Sequence, residues 1–273
     1  MDLNGAVVIV TGAARGLGAA VAGASAERGA TVVVADVLAD ELDSTVGGII
    51  AFGGRVVPVQ ADVTNQADVE AMVARVESDV GPVDVLVNNA GTFSVIAPVW
   101  QADPDRWFRD VRVNLYGSFL CCRAVAGRMV ARRRGYILNV VSSGGVGDPH
   151  PHRTSYASSK TALMRLTEGL AAELADHGVK VFAIAPPAIR TAMTEFILND
   201  EGGRKWCPGL KDIFDSGRDA QPEVVSDLAL QLVSGRADRL TGRYFLAPCD
   251  FDAIVARTDE IIEKDLLTLR LQT

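Results

Sequence analysis

A chain of 273 residues, 48% hydrophobic and 22% charged, can bury a sizeable core and is too apolar to be disordered. A net charge of −7 argues against nucleic acid as a partner, and no apolar run approaches the roughly 18 residues of a membrane span. The four cysteines form no C-x-x-C pair and read as buried hydrophobes of a cytoplasmic protein; the three histidines lack ligand spacing, so no metal is expected. The first residues carry no basic region, and no signal peptide is expected.

In chain order, β-branched runs alternate with longer Ala-rich segments. Strands are expected at 6–10, 31–35, 55–59, 83–87, 136–141, 179–185 and 244–246. Helices are expected at 15–28, 37–51, 66–80, 104–133, 155–177 and 222–234. The strands are nearly continuous apolar runs, as when helices cover both faces of a sheet. Repeated βα units then imply one α/β domain built on a doubly wound parallel sheet of the Rossmann type. Residues 188–221 break the rhythm with Gly202-Gly203, Pro208-Gly209 and Gly217, and read as a loop over a substrate. A tail follows at 248–273, helical around 252–269.

Between the first strand and the first helix stand Gly12, Arg15, Gly16, Leu17 and Gly18, in a G-x-x-x-G-x-G pattern. Glycines let the backbone approach a pyrophosphate, and a helix N-terminus offers it unpaired N–H groups. Asp36 ends the second strand 18 residues after Gly18, where an acid meets the adenosine ribose hydroxyls and repels a 2′-phosphate. That favours NAD, although Arg15 is placed to meet a 2′-phosphate.

Tyr156 and Lys160 are four apart on a helix and share a face. An ammonium beside a phenol lowers its pKa from about 10. All five lysines lie at 160 or later, so an arginine-using chain places a compact point charge one turn after this tyrosine. A surface helix pair satisfies the same spacing. Ser143, 13 residues before Tyr156, falls at the end of the fifth strand, where a hydroxyl can meet a substrate oxygen. Asn114 is a polar residue inside an amphipathic helix, either a satisfied buried amide or a proton-relay group.

With these residues, and with Asp62-Val63, Asn88-Asn89-Ala90-Gly91 and the segment 186–191, the chain resembles the short-chain dehydrogenase/reductase family over about residues 4–247. The resemblance implies hydride transfer between a nicotinamide and a carbonyl or alcohol carbon. It implies Tyr156 as general acid/base, Ser143 as the group that polarises the substrate oxygen, and Lys160 as ribose ligand and modulator of the tyrosine. Asn114 would support a water-linked proton path. Asp62 and Val63 would meet the adenine, Asn88 to Gly91 would flank the cofactor, and Pro186, Ile189 and Thr191 would line or hold the carboxamide. Pro187 stands where the family usually has glycine, and Leu246-Ala247-Pro248-Cys249-Asp250 replaces a glycine-rich end.

The expectation is an NAD-dependent oxidoreductase of secondary alcohols or ketones; the alternatives are an NADP-dependent carbonyl reductase and a catalytically silent dinucleotide-binding sensor. Phe93 to Ile96, Gly144 to Val146, His150 to His152, Met193, Phe196, Ile197, Trp206 and Phe214 would shape a largely apolar substrate site. The resemblance also implies a homo-oligomer, a tetramer first, with helices 110–133 and 155–177 at one interface.

Overall fold

The computed structural model describes residues 1–147 and 149–270. Seven strands form one parallel sheet: β1 (Val7–Thr11), β2 (Thr31–Asp36), β3 (Arg55–Gln60), β4 (Val83–Asn88), β5 (Gly135–Val140), β6 (Val179–Ala185) and β7 (Tyr244–Leu246). Their order is β3-β2-β1-β4-β5-β6-β7. Ile9 pairs with Val33 on one side and Leu86 on the other, so the direction of winding reverses between β1 and β4. In such a sheet the crevice at the carboxyl ends of the strands beside the reversal receives the ligand.

Strand residues alternate between two buried layers. Val8, Val10, Val32 and Val34 meet Val21 and Ala22 of α1 (Gly16–Glu27) and Leu228 and Leu232 of α10 (Glu223–Val233). Ile9, Val33 and Leu86 meet Met72 and Val76 of α3 (Gln66–Asp79) and Val125 of α5 (Ser118–Arg132). Both faces being covered, every residue of β1 and β5 is buried. Emptying one such position, as in Ile9→Ala, carries a cavity penalty of about 2–5 kcal/mol. The remaining sheet helices are α2 (Ala39–Ala51) and α6 (Thr154–Leu174).

Three regions depart from the sequence expectation. Helix 104–133 is interrupted. It begins as α4 (Pro104–Val111), capped by the Asp103 carboxylate, which accepts from the N–H groups of Asp105 and Arg106. A π-helical turn, Arg112–Gly117, then leads into α5. Side-chain periodicity does not reveal an extra residue in a turn; such bulges recur at functional sites, and this one holds Asn114.

Residues 188–221 are not mainly loop. They fold as α7 (Ala192–Asn199), α8 (Glu201–Trp206) and α9 (Pro208–Asp215). The glycine and proline signals have other causes. Pro208 sits in the first turn of α9, where its missing N–H is harmless. A Cβ on Gly202 would lie 2.0 Å from the Ile96 carbonyl oxygen, and one on Gly203 would lie 1.8 Å from that of Ile197. These glycines let α8 seat against α7 and the strand-end loop.

The tail forms α11 (Phe251–Ala256) and α12 (Thr258–Glu263), which bury Phe251 and Ile261. It folds back on its own chain: Tyr244 N–H donates to the Leu267 carbonyl at 2.9 Å, and Leu269 N–H to the Glu168 carboxylate at 2.7 Å. No helix among the described residues is long and apolar enough to cross a membrane.

Candidate active site

A cleft of about 920 Å³ opens along the carboxyl ends of the strands. It is lined by Gly12, Arg15, Gly16, Leu17, Asp36, Asp62, Val63, Asn89, Ala90, Gly91, Tyr156, Lys160, Pro186 and Thr191. Of the catalytic and cofactor residues singled out in the sequence, Gly18, Asn88, Asn114, Ser143 and Ile189 are not among its walls. Of the expected substrate residues, Phe93, Ser94, Met193 and Phe196 are, while Val95, Ile96, Gly144 to Val146, His150 to His152, Ile197, Trp206 and Phe214 are not.

The dinucleotide end rests on close backbone approach. Gly12 has φ +64°, and a Cβ there would lie 2.7 Å from Ala90 Cα. A Cβ on Gly18 would lie 2.2 Å from the Gly12 carbonyl oxygen, so Gly18 acts from behind the wall. The Asn89 amide donates to the carbonyls of Thr11 and Gly12 at 3.0 and 2.9 Å, tying the loop to the end of β4. The N-terminus of α1 has neither a side-chain cap nor an acid in its first turn. Its free N–H groups and partial positive charge therefore suit a pyrophosphate. Asp36 is held by the N–H groups of Ala14 and Leu38, both at 3.1 Å. Arg15 pairs with Glu41 at 2.9 Å. The cradle, filled by any Cβ, and the uncapped helix fit a dinucleotide. Ile189 is buried and pairs with Ala220, while Thr191 caps α7 beside Gly16. Pro187 leaves that tether in place: Ala220 N–H donates to the Ala188 carbonyl at 2.9 Å.

Tyr156 and Lys160 lie in the first two turns of α6, against the end of β5. Lys160 is buried, and its Nζ donates to the Val140 carbonyl at 2.7 Å. Burial lowers its pKa to about 8. Nζ stands 5.8 Å from the centre of the tyrosine ring. The Tyr156 phenol is pushed up, first by burial; a hydrogen bond with Ser142 and the Arg153 charge act downward, and Asp110 upward. The Lys160 ammonium is turned to a backbone carbonyl rather than to the phenol.

The serine assignment changes. Ser142, not Ser143, is bonded to Tyr156, and Ser143 is exposed. Ser142 is extended, with φ −154° and ψ 144°, and its hydroxyl accepts from Gly144 N–H, capping the 3-10 turn that Ser143 opens. Counting 13 residues back from Tyr156 crosses an irregular loop whose length no ladder fixes, so it cannot choose between neighbours.

Asn114 is fully buried and saturated. Its oxygen accepts from Thr92 N–H at 2.8 Å, and its amide donates to the Thr92 carbonyl at 2.9 Å and Ser159 Oγ at 3.0 Å. A Cβ on Gly91 would stand 3.2 Å from the Asn114 oxygen and 3.5 Å from Lys160 Nζ, so the two flank that glycine. Asn88, expected beside the cofactor, instead lies in the core and donates to Asn139 at 2.8 Å.

Asp110 was missed by the sequence reading. This fully buried carboxylate accepts from the hydroxyls of Thr92, Ser94 and Ser155 and from Ser94 N–H. It fastens the loop after β4 to the residue before Tyr156. The signal that marks Asn114, a polar residue within an apolar helical pattern, applies equally one turn earlier.

The substrate side is closed by apolar contacts. Phe93 stacks on Tyr156 with ring centres 4.5 Å apart, and Ile96, Met193, Phe196, Ile197 and Trp206 pack around the pair. Phe214 is buried too, under Arg190.

A sheet wound this way, a glycine cradle at its reversal point and a Ser–Tyr–Lys set at the next strand end define a dinucleotide-dependent oxidoreductase fold. Residues 6–202 match the family model for short chain dehydrogenases, and the chain belongs to the short-chain dehydrogenase/reductase family. It is similar to 3-oxoacyl-(acyl-carrier-protein) reductase FabG of Thermotoga maritima, 35% identical over 89% of this chain and 96% of that protein. It is also similar to 2,3-dihydro-2,3-dihydroxybenzoate dehydrogenase of Bacillus subtilis, 33% identical over 88% and 93%. Among solved structures, a gluconate 5-dehydrogenase from Burkholderia cenocepacia, in complex with NADP and tartrate, superposes with a TM-score of 0.79. It is 31% identical and covers 89% of this chain and 94% of that one.

Proposed function

We propose that the protein interconverts a secondary alcohol and a ketone, using NAD, with Tyr156 as general acid/base. The observation that carries this reading is the convergence of Ser142, Tyr156 and Lys160 on one end of the dinucleotide cleft. A bound nicotinamide supplies the carbon that takes or gives the hydride. Gly12, Gly16 and Leu17 would seat its pyrophosphate, with Gly18 packed behind them; Asp36 would hold its adenosine ribose, and Asp62 and Val63 its adenine. Asn89, Ala90 and Gly91 flank it, and Pro186, Ile189 and Thr191 form the carboxamide end.

Ser142 Oγ donates to the substrate oxygen and holds it against the phenol. Tyr156 Oη takes the alcohol proton as the C–H bond breaks, or returns it to the ketone. Lys160, whose Nζ donates to the Val140 carbonyl, would hold the nicotinamide ribose with its remaining donors and place its positive charge beside the phenol. Asn114 holds the proton path in place through Thr92 and Ser159. Phe93, Met193, Phe196 and Trp206 exclude water and select an apolar carbon skeleton.

The NAD assignment is supported by the fixed Asp36 carboxylate and by Glu41, which occupies Arg15. The NADP reading is supported by Arg15 on the cleft wall and by the similarity to the gluconate 5-dehydrogenase solved with NADP. Exposed Trp100 before α4, Phe108 within it, and Tyr116 and Phe119 after it support a homo-oligomer, with a tetramer as the first expectation. Free thiols at all four cysteines accord with a cytoplasmic setting.

A panel of secondary alcohols with NAD, and of their ketones with NADH, tests the activity. Turnover of at least one pair is expected; none in either direction would sink the reading.

A further inference from the structure

One cation at the substrate end has no task in hydride transfer. Arg153 immediately precedes α6, three residues before Tyr156. Its Nη2 meets His150 Nδ1 at 2.7 Å, while its Nε is buried without a hydrogen-bond partner. Among the described residues no carboxylate lies within ion-pair distance of it. The nearby acids are otherwise engaged: Asp110 holds Thr92, Ser94 and Ser155, and Asp200 caps α8 through Gly203 N–H.

Arg153 is tied to both the floor and the lid of the site: Tyr156 follows it in the first turn of α6, and the ring of the preceding His152 lies 3.8 Å, centre to centre, from that of Trp206 in α8. The guanidinium charge acts on Tyr156, near the start of α6, and on Cys207, at the end of α8. The His150 ring lies within 3.6 Å of where a Cβ on Gly144, two residues after Ser142, would sit. Arg153, its imidazole partner and Ser142 therefore lie around one short loop. The N-terminus of α6 there has no side-chain cap and no acid in its first turn, which adds partial positive charge.

Arg153 is half-buried and has an imidazole partner but, among the described residues, no carboxylate to balance its charge. Burial penalises such a charge, and arginine, unlike Lys160, cannot escape by giving up its proton. The penalty is relieved when an anion docks, and a planar fork of N–H donors matches a carboxylate best. Phe93, Met193, Phe196 and Trp206 add apolar surface around the site. The cleft walls also carry Arg106, which donates to the Ser94 carbonyl, and Arg109 and Arg112, but these lie on and just after α4, whereas Arg153 immediately precedes α6.

We infer that the substrate is a hydroxy acid, or the corresponding oxo acid, whose carboxylate docks on Arg153 while its carbon skeleton lies under the apolar lid. This deepens the proposed alcohol–ketone reading and rests on it. The carboxylate takes no part in bond making; it fixes which carbon faces the cofactor.

The test compares 3-hydroxy-3-phenylpropanoate with its methyl ester, with NAD saturating. The acid should have a kcat/KM at least tenfold above the ester, carried by KM. Arg153→Gln should bring the ratio near one, and Arg153→Lys should retain part of it; unchanged NADH binding shows that each variant is folded. An ester used as well as the acid, or a preference that survives in Arg153→Gln, overturns the inference while the alcohol–ketone reading stands. If neither compound turns over, the alcohol–ketone reading is decided by the wider panel, and binding decides the inference alone. 3-Phenylpropanoate should then bind the NADH-loaded protein at least tenfold more tightly than 3-phenylpropanamide, and equal binding overturns it.

Discussion

The two halves of the cleft are made of different material. The dinucleotide half is backbone: glycine φ angles, free N–H groups of α1, and the ends of β1, β2 and β4. The substrate half is side chain: Phe93 on Tyr156, Trp206 on His152, and three short helices held by packing. A backbone site leaves a motif, because only glycine tolerates the approach. A packed site leaves a list of apolar residues that fits many arrangements.

The halves meet at Tyr156, and the sharpest break of the comparison is made there. Tyr156→Phe removes one oxygen and keeps the ring under Phe93. We expect kcat to fall by about 10²–10⁴, the usual contribution of general acid–base catalysis, with NAD affinity nearly intact. More than about a tenth of the activity remaining, measured by NADH production, removes the assigned role.

Next in size is the serine pair, which tests the one residue that sequence spacing misplaced. Losing a donor to a reacting oxygen commonly lowers kcat by about 10²–10³. Ser142→Ala should approach that loss, and Ser143→Ala should stay within about twofold because an exposed hydroxyl touches nothing in the site. The reverse ranking in steady-state kinetics would restore Ser143.

The extent to which the molecule is legible follows the same division. Strand and helix order, the cradle, Asp36, Tyr156 and Lys160 all follow from periodicity and motif, since sheet geometry ties them to strand ends. The π turn at Asn114, the lid helices and Asp110 do not. Each depends on a contact between distant segments, such as Gly202 against Ile96 or Asp110 against Ser155. Nothing in the local sequence separates a glycine that breaks a helix from one that admits a neighbour.

Gly202→Ala sharpens that point. The added methyl meets the Ile96 carbonyl, and overpacking of this kind costs about 1–3 kcal/mol. The effect should fall on lid closure, raising substrate KM roughly five- to a hundredfold while NADH binding, read by fluorescence, stays unchanged. A parallel loss of NADH affinity would mean that the two halves are mechanically coupled.

Cofactor choice is the mildest test, and it lies wholly in the backbone half. The Asp36 carboxylate is locked by Ala14 N–H and Leu38 N–H, so it cannot swing away from a 2′-phosphate. Like charges about 4 Å apart cost roughly 4 kcal/mol at an effective dielectric near 20. Arg15 can offset part of this, but it is half exposed and arrives with Glu41, a second carboxylate, at 2.9 Å. Repulsion should therefore win by at least the ~1.4 kcal/mol that a tenfold NAD preference in kcat/KM requires. Asp36→Ala should narrow the preference, and adding Val37→Arg should reverse it. Glu41→Gln, by freeing Arg15, should shift it toward NADP with Asp36 still in place. Equal use of the two cofactors by the unaltered protein would show that Arg15 outweighs both acids and that the assignment to NAD is wrong.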